Sequence, residues 1–300
     1  MRSVTILQII HGNNPVVIPK PYQLVVKTRN AAWSAFDPGD LIQNRENLDI
    51  FFIRISMLFY LQRIAFQIEW ELEEQRFAYY NESCYDFPIE PDTTPALYQI
   101  YQSVKQRLQI TNDIVFFIDN RMRVDGSCTA SADKEYPSII TLSTGAVNTL
   151  TDKELTFLIG HELGHLIMQD WLVSFFFNKL YKNRATKFRL HQYHVLDLLS
   201  ELEADRYGYL ACGDLDTFVS WLYKLNGGID QQRFGVSTDT FLAANQRHMQ
   251  KFLHGGWLGK RHPANALRIE AIRLFATCKT NRELQSQMKP IINSIQNCDD

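Results

Sequence analysis

Apolar positions along this 300-residue chain fall mostly at helical spacing, with short dense runs in a few places. The longest helical stretch, from Asn44 to about Tyr80, contains no Gly or Pro and carries Leu48, Phe51, Phe52, Ile55, Leu58 and Ile68. Before it, residues 1–45 mix short β-like runs with Pro and Gly, and Pro88, Pro91 and Pro95 then mark a linker. Thr94 to Leu108 reads as a helix with Thr93 or Thr94 as its cap. Ile114 to Ile118 and Ile139 to Leu142 read as buried strands. Thr151-Asp152-Lys153-Glu154 has the capping-box pattern and opens an apolar helix. A helical hairpin is expected between His165 and Glu201, then a helix from Leu215 to Leu225 stopped by Asn226-Gly227-Gly228, and a final helix from Ala264 to Phe275. The pattern predicts an α+β fold, mostly helical, with a small antiparallel or mixed sheet. Residues 1–90 form an N-terminal, mainly helical region with a long helix, and residues 91–300 form a second domain.

The chemistry sits in the helix opened by the capping box, which contains His161-Glu162-Leu163-Gly164-His165. Residues four apart share a helix face about 6 Å apart along the axis, so both histidines can hold one metal ion. Glu162 is rotated about 100° from His161, within reach of a metal-bound water without being a ligand. Two half-buried core histidines are the plainer alternative. A catalytic zinc takes three protein ligands and keeps one position open. The long pattern with a third histidine needs Gly at 168 and His at 171, where this chain has Met168 and Trp171. Ser200-Glu201-Leu202-Glu203-Ala204-Asp205 lies instead on a second apolar helix. Glu201 and Asp205 share a face, and Glu203 is about 200° round from Glu201. Glu201 is therefore the third ligand, and Asp205 a hydrogen-bond partner for a ligand histidine. His191 and His194 compete with Glu201 as ligands or belong to a solvated helix face, and Asp197 shares the Glu201 stripe.

These residues, followed by His262-Pro263 and then Arg268-Ile269, resemble peptidase family M48, the gluzincin zinc metallopeptidases. The resemblance spans roughly Thr94 to Phe275, with its three motifs in the family's order. Pro137 to Ala146 also resembles the family's strand and turn before the zinc helix. Two features depart from the family. Familiar members carry transmembrane helices, and their Asn-Ala-Phe-Ala-like stretch reads here as Ser127-Cys128-Thr129-Ala130. The resemblance implies a zincin-like catalytic domain with one Zn2+ per chain held by His161, His165 and Glu201. Glu162 would be the general base acting on a zinc-activated water, and His262 would donate to the developing oxyanion. Arg268 would anchor the His262 loop, or else be a plain surface arginine. The strand Ile139, Ile140, Thr141 and Leu142 is the candidate edge on which an extended peptide substrate adds. The resulting reading is a zinc-dependent peptidase, an endopeptidase by preference. The alternative is a latent or non-catalytic zinc-binding regulator whose N-terminal helices bind a partner.

Composition narrows the rest. A hydrophobic content of 45% supports a sizeable core, and a net charge of −2 without a basic block excludes nucleic acid as an expected partner. Five widely spaced cysteines without Cys-x-x-Cys suggest reduced thiols and a cytoplasmic location. Cys128 either approaches the metal or is a small buried residue. Met1 to His11 lacks a small-residue cleavage site, so no signal peptide is expected. Ile50–Leu61 holds Arg54, and Leu166–Phe177 is broken by Gln169 and Asp170. Neither reaches the roughly 20 apolar residues of a membrane span, which predicts a soluble protein. The N-terminal helix packs on the catalytic domain or serves a homo-oligomer contact.

Overall fold

A reciprocal capping box starts the helix at the centre of the structure. Thr151 N–H donates to Glu154 Oε2 at 2.7 Å, and Glu154 N–H donates to Thr151 Oγ1 at 3.4 Å. Glu154 is also buried against a neighbouring helix, where it accepts from Ser220 Oγ at 2.5 Å and Lys224 Nζ at 2.8 Å. Lys224, itself buried, donates further to the Thr149 carbonyl at 3.1 Å. One side chain therefore caps the helix and locks it to its neighbour.

The computed structural model describes residues 83–130, 137–168, 187–227 and 262–296, with single positions or short pieces at 79, 170, 235, 237, 239–241 and 243–244. The expected N-terminal region up to residue 82, its long helix and the glycine-rich loop before His262 lie outside the described residues. The elements are β1 (Phe87–Pro88), α1 (Pro95–Arg107), β2 (Ile114–Asp119), β3 (Gly126–Thr129), β4 (Ser138–Ser143) and α2 (Thr144–Thr149). They continue with α3 (Asp152–Met168), α4 (Lys187–Cys212), α5 (Leu215–Gly227), α6 (Asn265–Thr277) and α7 (Asn281–Gln296). Helix dominates, with one four-stranded mixed sheet, as an α+β reading requires. No described helix is long and apolar enough to cross a membrane.

Two expectations need correction. The sheet order is β1-β2-β4-β3, with β4 parallel to β2 and antiparallel to β3. Ile139, Ile140, Thr141 and Leu142 therefore lie on an interior strand whose backbone groups are taken up on both sides, so they are no docking edge. Among the described residues one outer edge belongs to β3, whose Gly126-Ser127-Cys128-Thr129 lacks the apolar run that betrays β2 and β4. Helix α6 is also not the last. An amphipathic α7 follows, burying Leu284, Met288, Ile291 and Ile295 at helical spacing despite Pro290. At α1, Thr94 is the N-cap by position but makes no capping hydrogen bond, while Thr93 Oγ1 accepts from Glu90 N–H.

Helix α3 packs against α4, α5, α1 and the β3–β4 ladder, and its crossing with α4 is unusually close. A Cβ on Gly160 would meet Ala211 Cβ at 2.6 Å and the Tyr207 carbonyl at 3.0 Å. One on Gly208 would meet the Phe157 ring at 2.7 Å, and one on Gly164 would meet Ala204 Cα at 3.0 Å. The atoms met are backbone, a Cβ and a packed ring rather than the ends of flexible side chains, so little can yield to a methyl group.

Two predictions follow from this packing. Gly160→Ala should destabilise the protein by about 1–3 kcal/mol, the usual cost of overpacking. Ala211→Gly in the same chain should recover part of the loss in urea unfolding, and an unchanged midpoint in the single variant would refute the close crossing. The second prediction concerns pH. Burial raises Glu154, but its hydrogen bonds to Lys224, Ser220 and Thr151 outweigh burial and hold the carboxyl below its ordinary range. The stabilisation is therefore complete above the free carboxyl value of about 4.3 and is lost as pH falls through the lower folded value. Glu154→Gln should cost about 3–5 kcal/mol at neutral pH, as breaking a buried ion pair does. The gap between wild type and variant should shrink below about pH 4.

Candidate active site

The close crossing brings the acidic face of α4 under the two histidines of α3. His161 Nε2 and His165 Nε2 are 3.2 Å apart, with the rings edge to face. Glu201 Oε2 lies 3.6 Å from His161 Nε2, and Glu201 Oε1 lies 3.6 Å from His165 Nε2. One donor atom from each of the three residues falls within 4.8 Å of the others. His161 and Glu201 are buried.

This set fits a zinc-sized cation. Ligands about 2.0–2.1 Å from a tetrahedral zinc stand about 3.3–3.4 Å apart, close to the separations seen here. Glu201 Oε2 is a buried oxygen without an aligned hydrogen bond, even though His262 Nδ1 stands 2.9 Å away. Two imidazole Nε2 atoms facing each other also leave at least one lone pair aimed at the common centre. The charge balance agrees. Burial lowers His165, yet Asp170, Glu201 and Glu162 outweigh it and push the ring up to about 10. The pocket strongly favours positive charge.

Around the three candidate ligands lies a ring of buried partners. His161 Nδ1 is 3.1 Å from Asp205 Oδ1, close but without hydrogen-bond alignment. Asp205, 0% exposed, is gripped by Arg268, with Nε to Oδ2 at 2.8 Å and Nη2 to Oδ1 at 2.6 Å. Burial raises Asp205, but Arg268 dominates and holds it below the usual carboxylate range. Arg268 is 1% exposed, its Nη2 is 3.9 Å from Glu201 Oε2, and its guanidinium lies over the Trp221 ring at 5.2 Å. The surface reading of Arg268 is therefore wrong: it ties α6 to the acidic face of α4. Glu201 is pushed below the carboxylate range by His262, His165, His161 and Arg268 against the effect of burial.

Glu162 is buried next to β3, where a Cβ on Gly126 would stand 2.8 Å from Glu162 Oε1. Burial raises its carboxyl, aided by Glu201 and Asp125 and opposed by His161 and His165. His262 is the exposed member, with its side chain 53% accessible. The Glu201 carboxylate raises its pKa against burial. Glu203 is buried rather than solvated, near Arg206, whose guanidinium stacks over Phe275 at 5.4 Å. Cys128, on β3, is pushed well up by burial and then by the charges of Glu162, Asp170 and Glu201. It sits close to the site but outside the group of three candidate ligands. Asp197 is raised by burial and by Glu201, and His194 is half-buried. The His191 side chain lies outside the described residues. Sequence reasoning missed Asp170, which accepts at 2.9 Å from His165 Nδ1. It had registered only as a charge interrupting an apolar run. Gly126 was missed too, because nothing in its neighbourhood marks a strand.

Comparison with known proteins gives one family and nothing closer. Residues 136–195 match the family model for Peptidase family M48. The match covers β4, α2, α3 and the start of α4, with His161, Glu162 and His165, and ends before Glu201, Asp205, His262 and Arg268. No curated protein and no solved structure matches the chain. The segment that builds the histidine-bearing half of the site is thus similar to peptidase family M48.

Proposed function

We propose that the protein is a zinc-dependent endopeptidase. The observation that carries this reading is the cluster of His161, His165 and Glu201, with the buried carboxylate Glu162 beside the two histidines on their helix. A structural zinc site has no use for such a base.

His161, His165 and Glu201 would hold one zinc per chain. A bound zinc supplies a Lewis acid that polarises the scissile carbonyl and lowers the pKa of water. Glu162 Oε1 or Oε2 takes the proton of the attacking water and passes it to the leaving amine. Its burial against β3 favours the proton-accepting role, since desolvation moves a carboxyl towards neutral pH. His262, exposed and with its pKa raised by Glu201, donates to the oxygen that becomes negative during attack. Arg268 and Asp205 hold α6 and α4 together beneath it. The peptide adds as an extended strand to the outer edge of β3, beside Glu162. An open edge binds a chain interior as readily as a terminus, which favours endopeptidase action.

Metal analysis should find one zinc per chain, removed by His161→Ala or His165→Ala and weakened by Glu201→Gln. Glu203→Gln should leave binding nearly intact. Glu162→Gln should retain metal and melting temperature while peptide hydrolysis falls by about 10² to 10⁴. His262→Phe should give a smaller loss in kcat, because zinc and base remain. A wild type that binds zinc yet cleaves no unfolded protein or peptide would overturn the enzymatic reading.

A further inference from the structure

A histidine binds a metal through one ring nitrogen, and the other nitrogen's partner decides which one is free to do so. The two histidines of this site differ in that partner. His161 Nδ1 faces Asp205, but Asp205 is bidentately engaged by Arg268 and the histidine contact is not aligned. His165 Nδ1 makes an aligned hydrogen bond, 2.9 Å long, to Asp170 Oδ2. Both of those side chains are largely buried, at 15% and 13% exposure. A carboxylate only accepts, so Asp170 holds a proton on Nδ1 of His165, and Nε2, which faces His161 and Glu201, is the nitrogen left to meet a metal.

The end of α3 is fixed well enough for this to matter. Just before Asp170, Met168 Sδ accepts from Tyr207 Oη at 3.7 Å. One turn earlier, Gly164 lies against Ala204 and Tyr207 of α4. The turn that leads to Asp170 is therefore tied to the helix that supplies Glu201.

We propose that Asp170 is a positioning residue. It fixes the Nε2-coordinating tautomer and the orientation of His165, and so sets how tightly the site grips zinc. This rests on the zinc reading given above, and it assigns to Asp170 a role that the motif residues do not cover. Partners of this kind are worth about 10- to 100-fold in metal affinity.

The test is zinc affinity, measured by competition with a chromophoric chelator, for full-length wild type, Asp170→Asn and Asp170→Ala. The alanine variant should bind about 10- to 100-fold more weakly than wild type. The asparagine variant, which keeps an acceptor but loses the charge, should fall between the two. Nitrogen NMR of the zinc-loaded wild type should show His165 protonated at Nδ1, and that proton should exchange faster in the alanine variant. A purely structural role would lower the melting temperature without moving the His165 signal or the affinity of the isosteric asparagine variant. If wild type binds zinc and both variants bind it equally well, the inference is overturned and the zinc reading survives. If wild type binds no zinc while folded, the zinc reading fails and this inference falls with it.

Discussion

Everything at the site depends on how closely α3 and α4 can approach. Gly160 and Gly164 on one helix meet Ala204, Gly208 and Ala211 on the other, at distances where an added methyl would strike backbone. Ordinary side chains would hold the axes about 8–10 Å apart. Here the short contact lets a glutamate side chain from α4 end among two imidazoles on α3. Helix α3 carries the capping box at its start and the two candidate ligand histidines further along. The Glu154–Lys224 pair therefore indirectly fixes where the histidines sit.

Charge is the second constraint. Glu162, Glu201, Asp205 and Asp170 crowd a buried volume in which Arg268 is the cation held closest, and its charge is already committed to Asp205. Buried carboxylates without counter-charge are costly. The arrangement drives up His165 and His262 and is met naturally by a divalent ion at the centre. The stack of Arg268 on Trp221, with Trp221 5.5 Å from the His161 ring, links the cation below the site to the core packing around Phe157 and Phe218.

Local signals made part of this legible in the sequence. The capping box, the His-Glu-x-x-His spacing and the helical phase that separates Glu201 from Glu203 all act within a turn or two of helix. The two strands with dense apolar runs, β2 and β4, were equally plain. What stayed hidden was set by tertiary pairing. Whether β4 is an edge depends on β3, a four-residue strand without hydrophobic alternation that pairs as Cys128↔Ile140 and Gly126↔Leu142. Ser143 Oγ, which accepts from Asp125 and Ala146 N–H and donates to the Arg123 carbonyl, holds the approach to β3 in place. No spacing rule announces such a hub. Asp170 escaped because it stands five residues after His165, off the three- and four-residue spacing at which side chains on one helix face are expected to meet. Arg268 could not be told from a surface residue until α6 was seen to be buried on α4.

X-ray absorption at the zinc edge of the metal-loaded protein tests the central claim most directly. The account predicts two imidazole nitrogens and carboxylate oxygen at about 2.0–2.2 Å, with no sulfur in the first shell. A thiolate shell near 2.3 Å would bring in Cys128, and a third imidazole would bring in His194 or His262. Either result would contradict the assignment of His161, His165 and Glu201 as the ligand set.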